Sequence, residues 1–239
     1  DVTSMVQSGG DNTITANVTS GWWNGRIANS GRNNGFRAKM LLTYSDGHTE
    51  VMGTDQTWRT AYAGPVISAD IYEGETYDAN ADLSYRENGF DDSNWNYADI
   101  CTAFRGEISA QAGDSVRVRT DLELHPKEIT VYHGVVDENE NQYGRINVTG
   151  NYQDGESFTL KAGETAVFDL GQNFAGRPVI QVEGPKDTTV TIRHGEMLND
   201  NDGLKSRGND GPEGSIYTAN LRTAPATAHY IMNGNGVET

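Results

Sequence analysis

Phe36-Arg37-Ala38-Lys39-Met40-Leu41-Leu42-Thr43-Tyr44-Ser45-Asp46-Gly47-His48-Thr49-Glu50-Val51-Met52 decides the fold class. Phe36, Ala38, Met40, Leu42 and Tyr44 recur at every second position, the period of a half-buried strand. Asp46-Gly47 then stands between this run and a second strand pattern from Glu50 to Met52. Glycine accepts the positive φ that a type I′ turn requires, so the stretch predicts a β-hairpin. Working outward, Ile14, Ala16 and Val18 repeat the alternation. Residues 116–118, 129–132, 158–160, 166–170, 179–182, 190–192 and 230–232 also read as strands, with Gly, Asn and Asp between them. Pro185 sits in a Gly184-Pro185-Lys186-Asp187 turn. No window of twelve or more residues carries a clean 3.6-residue period. The chain reads as all-β, with short helical turns at most.

Composition agrees. Of 239 residues, 28 are Gly and 35% are hydrophobic, a mixture suited to many short strands and turns rather than a helical core. The length leaves room for one large domain or two modest ones. The net charge of -16, with a pI near 4.6, repels phosphate backbones and anionic lipid, which excludes nucleic acid and membrane surfaces as natural partners. Cys101 is the single cysteine, so no intrachain disulfide can form. That is compatible with cytosol or periplasm, or with secretion, but not with a disulfide-stapled scaffold. No apolar run approaches the ~20 residues that span a bilayer, and no signal-peptide pattern is present.

A boundary is expected between about residues 110 and 123. Before it, Phe90-Asp91-Asp92-Ser93-Asn94-Trp95 reads as a polar loop ending in an aromatic anchor. After it, strand patterns lie closer together, and His125-Pro126 interrupts them, because Pro lacks an N–H and restrains the residue before it. The expectation is two tandem antiparallel β-sandwich, jelly-roll-like domains, residues 1–115 and 116–239. The first region supplies fewer than the roughly seven strands of a sandwich, so its opening strands are expected to be missing or supplied by a separate piece. There is no internal repeat and no low-complexity run.

Gly21-Trp22-Trp23-Asn24-Gly25 is the strongest ligand-type cluster. A sugar ring presents a flat face of C–H groups that an indole matches, and an amide beside it can bond a hydroxyl. Trp22, Trp23 and Asn24 are therefore the candidate binding residues. The competing reading makes the tryptophans core anchors, and it is the commoner fate of buried aromatics. In Ile71-Tyr72-Glu73-Gly74-Glu75-Thr76-Tyr77-Asp78-Ala79, Glu73 and Glu75 would share a face of a strand. Paired carboxylates can cleave glycosidic bonds, but no partner cluster faces them, and a solvated acidic loop is the better reading. Asp137, Asn139 and Asn141 begin like a calcium loop, yet Gln142 stands where Gly is needed and Val148 where a bidentate Glu is needed. The stretch 198–203 is oxygen-rich and also misses that template. His48, His125, His133, His194 and His229 show no zinc spacing. No nucleophile elbow or phosphate-binding Gly loop is present. Asn17-Val18-Thr19 and Asn147-Val148-Thr149 match a glycosylation sequon that recurs by chance. No catalytic residue and no metal ligand is assigned.

Three polar, glycine-bearing blocks punctuate the second half: Asp169-Leu170-Gly171-Gln172-Asn173-Phe174-Ala175-Gly176, His194-Gly195-Glu196-Met197-Leu198-Asn199 and Ile216-Tyr217-Thr218-Ala219-Asn220-Leu221-Arg222. In the first, Asp169 ends an apolar strand and the glycines permit a tight reversal, with Gln172 and Asn173 expected to bond the open strand end. The first half carries Asp1-Val2-Thr3, Gly21-Trp22-Trp23-Asn24-Gly25, Tyr44-Ser45-Asp46-Gly47, Thr54-Asp55-Gln56-Thr57-Trp58, Gly64-Pro65-Val66-Ile67, 72–79 and 90–95. Together, in this order, these motifs resemble the N-terminal accessory β-domains of bacterial α-L-rhamnosidases of glycoside hydrolase family 78. The resemblance covers nearly the whole chain.

The resemblance implies a parent that hydrolyses terminal α-L-rhamnosides with inversion. It also implies a following (α/α)6 barrel that carries the catalytic carboxylates. No position here matches the catalytic motifs, so the chain by itself is expected to be inactive. Its implied partners are that barrel, as part of the same polypeptide, and rhamnose-containing carbohydrate. The implied work is to buttress the barrel, shape its entrance and hold rhamnosides at Trp22, Trp23 and Asn24. Some members bind rhamnose through the first jelly roll with calcium, which makes calcium the one cofactor to consider. Two other readings stay open at this point: a free-standing carbohydrate-binding module, and hydrolysis by the chain itself through Glu73 and Glu75.

Overall fold

A computed structural model describes residues 1–27, 31–102, 104–109 and 112–239. The chain is all-β. Its strands are β1 (Lys39–Thr43), β2 (Thr49–Gly53), β3 (Arg59–Thr60), β4 (Val66–Asp70), β5 (Gly74–Asp78), β6 (Asn96–Tyr97), β7 (Glu128–Val136), β8 (Arg145–Tyr152), β9 (Thr165–Asp169), β10 (Thr189–Arg193), β11 (Met197–Leu198), β12 (Ile216–Tyr217) and β13 (Thr227–Ile231). Helical structure among the described residues is confined to three-residue 3₁₀ turns, such as Ser84–Arg86. Among the described residues, no helix is long and apolar enough to cross a membrane.

The hairpin forms where it is expected. β1 and β2 pair antiparallel with Leu41 opposite Val51, and Gly47 takes φ 86° in the connecting turn. The turn at Pro185 forms too, closed by the Thr188 N–H donating to Pro185 O at 3.2 Å. Other alternating runs do not become strands. Residues 14–18, 116–118 and 158–160 have no ladder partner, and Val182 makes only an isolated bridge to Glu238. Alternation prepares a face for burial, but a strand also needs a neighbour for its N–H and C=O groups.

The chain divides into two units. One comprises Asp1–Ser109, Gln181–Ile192 and Thr227–Thr239; the other comprises Ala110–Ile180 and Arg193–Ala226. The sequential division at about residue 115 thus stands beside an interleaved arrangement. The first unit holds a four-stranded sheet in the order β10-β13-β5-β4. β4 and β5 run antiparallel, whereas β13 joins β5 parallel, with Tyr230 opposite Tyr77. A late segment of the chain therefore completes a sheet begun by an early one. The Tyr77 and Tyr230 rings stack at 5.8 Å, a cross-strand aromatic pair of the kind that fixes register. Met232, 2% exposed, and Tyr85 are buried apolar side chains of this unit.

The second unit centres on the sheet β8-β7-β9. Ile129 and Val131, each 3% exposed, lie two apart on β7 and supply its buried apolar face. Tyr152 and Phe158 stack at 4.6 Å beside them in sequence order, and Phe158 meets Phe168 at 6.2 Å. The β7–β8 register slips between Tyr132 and Val135, so that His133 and Gly134 stand opposite Asn147 alone, a bulge in which Gly134 takes φ 71°.

Candidate functional site

The Trp22-Trp23 loop is anchored by its glycines and by Asp70. Gly21 forms a parallel bridge with Asp70, and its N–H donates to Ala69 O at 3.3 Å. Gly25 is buried, and a Cβ there would collide with Asp70 Oδ2 and Gly21 O, so only glycine fits. Asp70 Oδ2 accepts the Arg26 N–H at 2.8 Å, and Oδ1 accepts the N–H groups of Tyr72 at 2.6 Å and Glu73 at 3.0 Å. The Arg26 N–H first, then those of Tyr72 and Glu73, hold the Asp70 carboxyl below its ordinary range. This carboxylate is a fastener for two turns of chain.

The three candidate residues are placed differently from one another. Trp22 is 51% exposed and Trp23 is 43% exposed, so neither is a core anchor. Trp23 Nε1 donates to Asn33 O at 2.7 Å, and its ring meets Phe104 edge-on at 6.2 Å, which fixes the ring in place. Asn24 turns the other way. Its Oδ1 is buried and has no hydrogen-bond partner among the described residues. An unpaired buried acceptor is costly and rare. The loop thus exposes the Trp22 indole and holds a buried, unpaired acceptor at Asn24.

Calcium does not fit this loop. It takes six to eight oxygen ligands, but both Asp70 carboxylate oxygens are engaged with backbone N–H groups and the unpaired Asn24 Oδ1 is buried. Among the described residues, no group of three or more His, Cys, Asp and Glu could hold a metal ion. At the other oxygen-rich stretches the ligands are taken by the protein. Asp137 pairs with Arg145, Asp200 with Arg207 at 3.1 Å, and Asp202 with Arg145 at 3.2 Å.

Glu73 and Glu75 are not a catalytic pair. β5 begins at Gly74, which takes φ 116°, so Glu73 stands in the turn before the strand and the two do not share a strand face. Glu73 Oε1 is held by Arg26 Nη1 at 2.8 Å, and Arg26 lies 5.6 Å over the Tyr72 ring.

The three blocks of the second half form turns. Asp169 itself closes the first: its Oδ1 accepts the Gly171 N–H at 2.7 Å, and its carbonyl accepts the Lys127 N–H at 2.7 Å. This corrects the expectation that Gln172 and Asn173 serve the strand end. The second and third blocks pair as β11 and β12, with Leu198 opposite Ile216. Just beyond them lies a polar network that sequence inspection does not single out. Asn199 is 2% exposed. Its Nδ2 donates to Asp210 Oδ1 at 3.0 Å, Ser215 Oγ at 3.1 Å and Ile216 O at 3.2 Å, and its Oδ1 accepts the Asp210 N–H at 3.0 Å. Asp210 Oδ2 accepts from Thr218 N and Oγ1, both at 2.9 Å. Burial pushes the Asp210 carboxyl up, but the bonds from Thr218 and Asn199 outweigh it and hold the group below its ordinary range. The spacing of Asn199, Asp210 and Thr218 gives no sequence signal, because ordinary loop residues separate them.

Comparison with known proteins accounts for both halves. The α-L-rhamnosidase N-terminal domain family matches residues 1–120, and the bacterial α-L-rhamnosidase concanavalin-like domain matches residues 159–239. An α-L-rhamnosidase of Streptomyces avermitilis is 33% identical over 100% of this chain and 20% of its own length. One of Formosa agariphila is 29% identical over 99% of this chain and 22% of its own length. The crystal structure of the Streptomyces avermitilis enzyme complexed with L-rhamnose is similar with a TM-score of 0.65 at 31% identity, covering 91% of this chain and 18% of that one. The chain therefore spans about a fifth of the length of these relatives. Because the α-L-rhamnosidase N-terminal domain family matches half of the sequence and a second rhamnosidase domain follows in order, this chain belongs to the bacterial α-L-rhamnosidase family, to the part that carries those two domains.

Proposed function

We propose that the chain works as the accessory region of an α-L-rhamnosidase, supporting a catalytic domain of the same polypeptide and holding rhamnose-containing carbohydrate at the Trp22-Trp23-Asn24 loop. The observation that carries the reading is the ordered succession of two rhamnosidase domains over 1–120 and 159–239 in a chain about a fifth as long as its relatives. The parent activity, hydrolysis of terminal α-L-rhamnosides, follows from those relatives. The supporting role follows from the exposed apolar side chains of both units. Leu41 and Val51 on the hairpin, Ile67 on β4 and Val135 on β7 are all open, and such surface is favourable to cover.

The carbohydrate role rests on the loop's chemistry. Trp22 presents an exposed indole to which the C–H face of a pyranose can stack, and Asn24 Oδ1, buried and unpaired, meets a sugar hydroxyl only where the loop shifts on binding. Calorimetric titration of the chain with L-rhamnose tests it. Heat of binding that falls at least about tenfold in affinity in Trp22→Ala supports the assignment. A flat titration removes both this role and the free-standing carbohydrate-binding module, leaving support of the catalytic domain as the function.

A further inference from the structure

We infer that the second unit carries a separate recess for an acidic monosaccharide, a hexuronate, with Arg193 as the residue that recognises its carboxylate. The inference rests on the carbohydrate reading above but uses a different unit and different residues. A cavity of about 370 Å³ opens beside the end of β10 and the loop that follows β11, within the size range of small-molecule sites. Tyr132 and Gly134 of β7 line one side, and Arg193, Asp210, Ser215 and Thr218 line the other.

Three features make this more than a surface hollow. First, its polar floor is rigid. The buried Asn199 ties Asp210 and Ser215 together, and Asp210 ties down Thr218 through both its N–H and its hydroxyl. Second, the Thr218 hydroxyl, which donates to Asp210, accepts from Arg193 Nη2 at 3.2 Å. A guanidinium has five N–H donors, and this bond positions the group while leaving others for a ligand. No carboxylate of the described residues lies within ion-pair distance of Arg193, although the chain carries 34 acidic residues against 18 basic ones. Third, the β7 bulge brings Gly134 to the wall, and a Cβ there would meet no protein atom within 4 Å, so the backbone borders open space. Bulges beside sites redirect the chain in this way.

These features select the ligand class. The planar guanidinium matches a carboxylate with two parallel hydrogen bonds, a geometry that a lone hydroxyl cannot reproduce. The exposed backbone at Gly134 suits ring hydroxyls, whereas the buried Ser215 hydroxyl, which donates to Pro212 O at 2.6 Å and accepts from Asn199, belongs to the fixed floor. Asp210, ionised and fully engaged with Asn199 and Thr218, serves as the support that orients Thr218 and hence Arg193. A neutral sugar leaves Arg193 without its counter-ion, and a simple carboxylate leaves the remainder of the cavity to water.

The test is a ¹H–¹⁵N correlation titration of the full chain with sodium D-glucuronate, with D-glucose, sodium acetate and L-rhamnose as parallel arms. The expected result is a saturable shift of amides in 132–135, 193 and 210–218 with glucuronate, at least about tenfold weaker with glucose and with acetate. Arg193→Gln is expected to abolish the glucuronate response while leaving the rest of the spectrum in place. Arg193→Lys, which keeps the charge without the planar fork, is expected to weaken it by about tenfold. No glucuronate shift in this region at millimolar concentration overturns the inference, as does an equal response to glucose or an unchanged response in Arg193→Gln. The rhamnose arm reports on the Trp22 loop, so failure here and failure of the rhamnose reading are seen separately.

Discussion

Gly25 shows what a single residue does in this molecule. Its missing side chain lets Asp70 approach the backbone closely enough to fasten Arg26, and on the opposite side Asp70 fastens Tyr72 and Glu73. Gly25→Ala is expected to force Asp70 off these N–H groups and to cost about 1–3 kcal/mol, in the range of overpacked buried sites. Urea denaturation measures the cost, and Trp22 and Trp23 fluorescence should change with it, because the same contacts hold their loop. A wild-type midpoint and spectrum would show that the loop accommodates a methyl group and is held otherwise. At this scale the sequence reveals residue types but not their partners. Trp22 and Trp23 are legible as ligand-type aromatics, but Asn33 and Phe104, which fix Trp23, are not, since ten and eighty-one positions separate them. Glu73 and Glu75 look equivalent in sequence, yet the left-handed Gly74 between them puts one in a turn and one in a strand.

Elements form where pattern and partner coincide. The β1–β2 hairpin carries its own partner within seventeen residues, so Phe36 to Met52 is legible from sequence alone. The parallel pairing of β13 with β5 is not, because Tyr230 meets Tyr77 across most of the chain and no local signal records it. Isolated alternating runs such as 14–18 have the pattern and lack the ladder. β7 has both, and it is the element on which the second unit depends. Its Ile129 and Val131 are the buried apolar pair, and it is hydrogen-bonded on both edges, to β8 and to β9. Ile129→Ala is expected to destabilise the chain by about 2–5 kcal/mol, as large-to-small changes at buried positions do. Amide exchange should accelerate most in residues 128–136, 145–152 and 165–169. Loss of protection spread evenly over β4 and β5 as well would contradict the division into two units. The Asn199 network belongs to the same scale. It joins the end of β11 to the start of β12, and only the fold brings its members together.

For the molecule as a whole, family membership, fold and chemistry point to an accessory role. Both rhamnosidase domains are present in order, the architecture is all-β, Glu73 is fastened to Arg26, and Glu73 and Glu75 do not share a strand face. The fold class and the family were legible in sequence because they reside in turn-forming motifs such as Tyr44-Ser45-Asp46-Gly47 and Gly21-Trp22-Trp23-Asn24-Gly25. The interleaving of the two units was not, because residues 181–192 and 227–239 carry no mark of the unit they rejoin. At the centre stands the proposal that this chain supports hydrolysis without performing it. Turnover of p-nitrophenyl α-L-rhamnoside by the purified chain tests this most directly, with Glu75→Ala as the reference. The account predicts no release of p-nitrophenol above that of the variant or of buffer; sustained release by the wild-type chain that is lost in Glu75→Ala would contradict it.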